Sequence, residues 1–402
     1  MTPFFSLPER RVMYYISLLG FFAIFSTTIS KNPVLPLFSQ AMGAGEAVIG
    51  LIAAVSPFAG ILFSFPVGVL SDHLGRRRLL IASGIVFLCA PLLYLIIFNP
   101  LWLIPIRFFH GTATAILGPV VSAVIAERFP ANKGEMLGQY SSATLIGRTL
   151  APVVGGFVIS FFVMYPGLIQ YRMVYVVAAL AALPVFVLIL MYRDDSHTSL
   201  SFVPFSSFRR SFTLFFSERK LRATAFADMA TYFAFGSFET FFPFVLLSQG
   251  IGAYLIGVLF AVQTLVIAAT KPLFGRIADR IDKRIQIALG LLILGGSTAA
   301  IPFASSFIVF LLVTSSIGLG ISLSTVATSA YIADVAEKGQ MGASMGALSS
   351  VMDIGHSAGP VVTGLVIAAG GFVLGFFASF LITLAVCVVF IISVRDRKPV
   401  PK

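Results

Sequence analysis

The chain has 402 residues, 58% of them hydrophobic and 11% charged. A water-soluble domain carries roughly 25% charged residues, and a soluble core of this size cannot hide so much apolar side chain; the mean hydropathy is +0.99. A soluble enzyme, a nucleic-acid-binding domain and a disordered chain are therefore excluded, and the net charge of +11 reads as basic loops beside a membrane.

The apolar runs are continuous and do not alternate, which argues against a β-barrel. The expected class is an all-α polytopic membrane protein with 12 transmembrane helices in two pseudo-symmetric six-helix bundles. About 20 apolar residues cross the hydrocarbon core. Windows of that kind fall at 11–38, 47–70, 79–98, 101–126, 135–163, 171–192, 222–247, 253–277, 285–304, 307–333, 340–369 and 372–394. The first follows Arg10 and Arg11 and ends near Ser39-Gln40-Ala41, so a cleaved signal is weighed. Its apolar stretch is far longer than a signal core and holds Pro33 and Pro36, so it is read as a retained anchor. Cys89 and Cys387 lie in apolar runs, and neither a disulfide framework nor metal-ligand spacing is indicated.

Orientation follows from Lys and Arg. With both termini cytoplasmic, all but five of the 27 fall in cytoplasmic segments; the five are Lys31, Arg107, Arg148, Arg172 and Lys271, within or at the edges of spans. The chain also repeats itself at one fixed offset. Pro36 aligns with Pro243, Gly43 with Gly250, Gly68 with Gly275, Asp72 with Asp279, Arg77 with Arg284 and Gly111 with Gly318. After one inserted residue, Gly147 aligns with Gly355 and Pro152 with Pro360. The expected domains are 1–192 and 222–402, two six-helix bundles in parallel, joined by a polar, basic linker over 193–221.

After the second span comes Gly68-Val-Leu-Ser-Asp72-His-Leu-Gly75-Arg76-Arg77-Arg78, repeated as Gly275-Arg-Ile-Ala-Asp279-Arg-Ile-Asp282-Lys283-Arg284. This resembles the loop signature of the major facilitator superfamily, with Asp282 where the family has glycine. Span four carries Arg107-Phe-Phe-His110-Gly111, similar to the family's Arg-x-x-x-Gly signature. Span five carries Gly147-Arg148-Thr-Leu-Ala151-Pro152-Val-Val-Gly155-Gly156, which resembles the family's antiporter signature with Ala151 in place of one glycine; its mirror in span eleven is Gly355-His356-Ser-Ala-Gly359-Pro360.

The resemblance covers nearly the whole chain. It implies a secondary transporter working by alternating access, most like the 12-span drug/proton antiporters. The glycines and prolines are expected to give bent, closely packed helices. Gly68 allows close helix approach, Gly75 a tight turn, and Arg76 and Arg77 are expected to bridge to nearby acids. Asp72 is expected at the N-terminal end of span eleven near Gly339–Met341, and Asp279 at that of span five near Gly134. The competing reading is that these arginines only hold the loops inside.

Charges within spans are expensive and mark function by default. The coupling candidates are Asp353, Arg107, Arg148, Glu239, Asp228 and Lys31, with His110 and His356 as further titratable groups. Asp353 is placed first: a buried carboxylate can carry a proton, and a ligand that separates it from Arg148 or Arg107 would promote uptake. A structural ion pair remains the alternative for each. Asn32 is the repeat partner of Glu239 and adjoins Lys31, so a pair across the repeat is expected there. Span one has Lys31 and no acid, a departure from many drug antiporters.

The expected partners are a small-molecule substrate, protons and the lipid bilayer, with no nucleic acid and a monomer sufficient. The expected location is the cell membrane. No G-x-x-x-x-G-K-[ST] loop is present in the sequence, so ATP drive is not expected; no cofactor and no metal are expected either. Carriage of an organic anion is the rival transport mode. A membrane enzyme or receptor would need a catalytic cluster or a large extramembrane domain, and the sequence offers neither.

Overall fold

The computed structural model describes residues 9–192, 216–335 and 341–395, without the side chains of 9, 10, 65, 68–74 and 341–343. The described residues are helical, with short turns and no strand. That is what the composition demands: lipid offers no partner for backbone N–H and C=O groups, and a helix satisfies them within itself.

Helices α1 (Glu9–Ile29) and α2 (Val34–Ala41) make the first crossing. They part at Asn32-Pro33, because proline lacks an N–H and keeps the residue before it from helical geometry. Then come α3 (Glu46–Leu74), α4 (Arg76–Leu93), α5 (Leu103–Arg128), α6 (Lys133–Phe161) and α7 (Ile169–Met191). The second half runs α8 (Arg219–Ser248), α9 (Ala253–Ala278), α10 (Lys283–Ala300), α11 (Phe307–Val335) and α12 (Met341–Val394).

Among the described residues, ten helices are long and apolar enough to cross a membrane. The first turn of α4 carries Arg76, Arg77 and Arg78, so its apolar part is shorter. Helix α12 has 54 residues, about 80 Å at 1.5 Å per residue, against a hydrocarbon core of about 30 Å. It is broken at Gly370 and Gly371, where Gly371 has φ +81°. Only glycine takes that φ at little cost, and the break lies between the expected spans 340–369 and 372–394.

The helices gather into two compact units, each made of two stretches of chain. The first is Met1–Phe202 with Glu239–Leu265; the second is Val203–Phe238 with Val266–Lys402. Helices α8 and α9 therefore each contribute to both.

In the first unit α1 packs on α6 and α7, α3 on α5, and α4 on α5 and α7. Ile16, Phe87, Val120 and Ile189 are among the core residues. Small residues set the spacing. A Cβ at Gly147 would lie 2.6 Å from the Phe21 carbonyl oxygen of α1, and Cβ atoms at Gly156 and Gly257 would strike the carbonyls of Ala253 and Pro152. Hydroxyls add cross-links: Ser26 donates to Ala178 O at 2.9 Å and Ser83 to Ala113 O at 2.8 Å.

In the second unit α10 packs on α11 and α12, around Ile287, Leu291 and Phe390. Cβ atoms at Gly355 and Gly359 of α12 would run into the Met229 and Phe233 carbonyls of α8. Ser237 and Thr363 share a hydrogen bond of 2.8 Å between the same two helices.

These contacts leave no room for a larger side chain. Gly147→Val is expected to destabilise the protein by about 1–3 kcal/mol, the usual cost of overpacking. Gly296→Ala, where a Cβ meets nothing within 4 Å, is expected to be neutral. Thermal unfolding of both variants in one detergent checks the difference.

Candidate functional site

Lys31 ends up beside Glu239. Helix α1 has ended by residue 30, so Lys31 and Asn32 sit in the turn before α2. Lys31 Nζ lies 2.6 Å from Glu239 Oε2, and Asn32 Nδ2 donates to Oε1 at 2.7 Å. Both carboxylate oxygens are thus engaged, and the side chains are 22% and 11% exposed. The repeat alignment anticipates the ion pair, whereas the direct bond from Asn32 is an addition.

Arg107 is 3% exposed on α5, and its charge acts on Tyr94, His110 and Tyr175. Tyr94 and Tyr175 stack at 4.2 Å with planes 2° apart, and the Tyr94 hydroxyl lies 3.4 Å from His110 Nδ1. No ion pair to Arg107 occurs among the described residues. The two tyrosines were not anticipated, since they come from α7 and the end of α4. Arg148 is exposed on α6. Arg172 donates to Ile97 O at 3.0 Å and lies 4.5 Å from the centre of the Phe98 ring.

In the second unit Asp228 is 3% exposed on α8. Thr328 of α11 donates to its Oδ1 at 2.9 Å, and the same hydroxyl lies 3.1 Å from Thr325 O. The charge of Lys271 also reaches it. Asp353 is half-buried on α12; it belongs to the second unit, Arg107 and Arg148 to the first. One turn on, His356 packs against Tyr232 and Phe235, with ring centres 6.1 and 5.6 Å away.

The loop motif divides into two different structures. In the first copy Gly75, at φ +82°, joins α3 directly to α4. Arg76 is buried and pairs with Glu127 of α5, while Arg77 is exposed. Gly68 lies in α3; the side chain of Asp72, and Gly339 near which it is expected, are outside the described residues. In the second copy Asp282 caps α10, accepting from Arg284 N at 2.9 Å. Its carboxylate also pairs with the Arg284 side chain at 2.8 Å. An aspartate in the family's glycine position is thus a helix cap. Lys283 pairs with Asp334 at 2.8 Å. Gly275 lies within α9, and Asp279 is exposed after it.

The span-five motif and its mirror act as packing surfaces. Gly147, Gly155 and Gly156 are buried on α6, and Pro152 stays inside the helix. Gly355, Gly359 and Pro360 are buried on α12. The prolines are tolerated because neighbouring helices and local adjustments re-satisfy the freed backbone groups.

A chain of apolar helices with buried charges inside the spans has the build of a membrane carrier. The sequence profile of the Major Facilitator Superfamily matches residues 16–262 and 224–402. The chain belongs to that family, and it is a transporter rather than an enzyme. It is 24% identical over 372 residues to "Multidrug resistance protein 2" of Bacillus subtilis, covering 90% of each chain. It is 23% identical over 345 residues to an MFS-type transporter of Methanocaldococcus jannaschii, covering 83% of this chain and 85% of that one. The fold resembles the nucleoside transporter NupG at TM-score 0.78 and 11% identity, covering 95% of this chain and 100% of that one. It also resembles an inward-facing bacterial homolog of the human lysosomal transporter Spinster at TM-score 0.75 and 17% identity, covering 98% and 96%.

The Lys31–Glu239 contact predicts an asymmetry among variants. Lys31→Met removes the charge opposite Glu239, and Glu239→Gln the charge opposite Lys31; each is expected to destabilise the protein. The double variant is expected to recover about 1–3 kcal/mol relative to their sum. Unfolding of the four proteins in detergent measures that coupling; simple additivity would show that the two side chains do not interact.

Proposed function

We propose that the chain is a proton-coupled exporter of small amphipathic compounds, working by alternating access in the cell membrane. The halves 1–192 and 222–402 act as the two moving bundles, 193–221 links them, and both termini are cytoplasmic. One copy suffices. The basic segments support this orientation, and two parallel six-span repeats are the build that rocks around a central site.

The observation that carries the coupling is the hydroxyl between Asp228 and Thr325 O. One hydrogen serves one acceptor at a time. With Asp228 ionised, Thr328 donates to the carboxylate. With Asp228 protonated, the acid can donate to Thr328 Oγ1 while the hydroxyl turns to Thr325 O. Both protonation states are therefore satisfied without moving a helix. Asp353 is the second coupling group, on a helix that packs against α8 through glycine. Glu239, with both oxygens engaged, acts as a clasp for the segment Glu239–Leu265. Arg76 with Glu127, and Arg284 with Asp282, steady the cytoplasmic loops of the gate.

The multidrug relatives support an amphipathic substrate. Carriage of an organic anion is favoured by Arg107, a buried guanidinium with no ion pair among the described residues. Transport in proteoliposomes with an imposed pH gradient separates the two, using lipophilic cations, neutral amphiphiles and organic anions. Gradient-driven flux of cations or neutral amphiphiles, lost in Asp353→Asn and Asp228→Asn, is the expected result. Thr328→Val is expected to displace the pH profile while leaving substrate binding in place. Flux that ignores the gradient and survives both carboxylate changes would refute proton coupling; gradient-driven flux of anions alone would favour the second reading.

A further inference from the structure

The start of α8 and the end of α12 enclose a groove of about 370 Å³. Helical spacing puts Arg219, Arg222 and Phe226 on one face of α8, and Val386, Val389 and Ser393 on one face of α12; all six line it. Ala223 and Phe390, both buried, close its floor. Phe226 is 42% exposed and Val389 59%. Arg219 Nη2 donates to Ile392 O at 3.2 Å, so the first turn of α8 is level with the last turn of α12. From that level both helices run into the apolar part of the unit, and Phe226 and Val386 lie about two turns deeper.

Among the described residues, no carboxylate pairs with either arginine. Each is steadied by a neutral carbonyl, Arg219 by Ile392 O and Arg222 by Phe216 O at 2.8 Å. Neither forms an ion pair among the described residues, and both are exposed. Arg284 donates to Val394 O at 3.0 Å nearby, but its charge is paired with Asp282. The groove is thus cationic at its mouth and apolar along its length.

We propose that this groove binds one anionic phospholipid of the leaflet on the basic side. Its phosphate sits on Arg219 and Arg222, and an acyl chain lies along Phe226, Val386 and Val389. Basic pockets between membrane helices recognise anionic head groups in this way. A free phosphate uses the arginines but leaves the apolar track bare. An acidic protein segment covers the charge but does not reach two turns into the hydrocarbon. A phospholipid meets both requirements at once.

The test uses the full chain, delipidated in detergent, with phosphatidylglycerol, phosphatidylcholine or inorganic phosphate added and binding read by native mass spectrometry. One phosphatidylglycerol is expected to bind in preference to phosphatidylcholine. The double change Arg219→Gln with Arg222→Gln is expected to weaken it roughly thirtyfold. Val389→Trp fills the apolar track, keeps both arginines and is expected to weaken it as well, which covers the case where the double variant misfolds. Lys133→Gln, a basic residue far along the chain, is expected to leave it unchanged. Equal binding of the two lipids, retention in Val389→Trp, or displacement by inorganic phosphate at concentrations matching the lipid would each overturn the assignment.

Discussion

Helices in lipid gain little from hydrophobic attraction to one another, because the surrounding acyl chains are as apolar as their own side chains. Association must come from close backbone approach, and here it comes from glycine set against a carbonyl. Gly147 meets Phe21 O, and Gly355 and Gly359 meet Met229 O and Phe233 O. The contacts are related by the repeat: α6 lies on α1 as α12 lies on α8. Everything placed on those helices inherits its position from them. Lys31 and Asn32 follow α1, Asp228 sits one residue before Met229, and Asp353 and His356 flank Gly355. A motif named for transport is therefore, at the level of atoms, a way of fixing the distance between charged helices.

The second constraint is the cost of burying charge, which three groups meet with polar partners. Glu239 is held by Lys31 and Asn32, Arg76 by Glu127, and Asp228 by Thr328. These solutions differ in kind. An ion pair fixes a charge state, since losing either proton balance strands the other partner. A carboxylate on a hydroxyl keeps both states open. The distinction is one of partner chemistry, not of which residue type is buried.

The class of fold was legible in composition, and most crossings in hydropathy alone. Even the break in α12 could be placed, because Gly370-Gly371 punctuates a run otherwise uniform. The Lys31–Glu239 contact was reachable because the repeat makes Asn32 and Glu239 equivalent, so one position predicts the neighbourhood of the other. Glu127 and Thr328 were not reachable. Each lies on a helix distant in sequence, on a face that periodicity cannot orient when a span is apolar all round. The role of Asp282 was hidden for another reason: set against a family pattern it looked like a lost glycine, whereas its side chain caps α10. Units built from two stretches of chain are equally invisible to a reading that cuts at the linker.

The turn inside α12 bears on how the protein reaches its membrane. Between His356 and Arg395 the sequence has no charged side chain, and Gly370-Gly371 reverses the chain without a polar loop. An insertion machinery handling this region has no hydrophilic segment to push through the bilayer. The two arms can therefore partition together as one helical hairpin, with little but the unbonded amide and carbonyl groups of the turn to set against the burial of both arms.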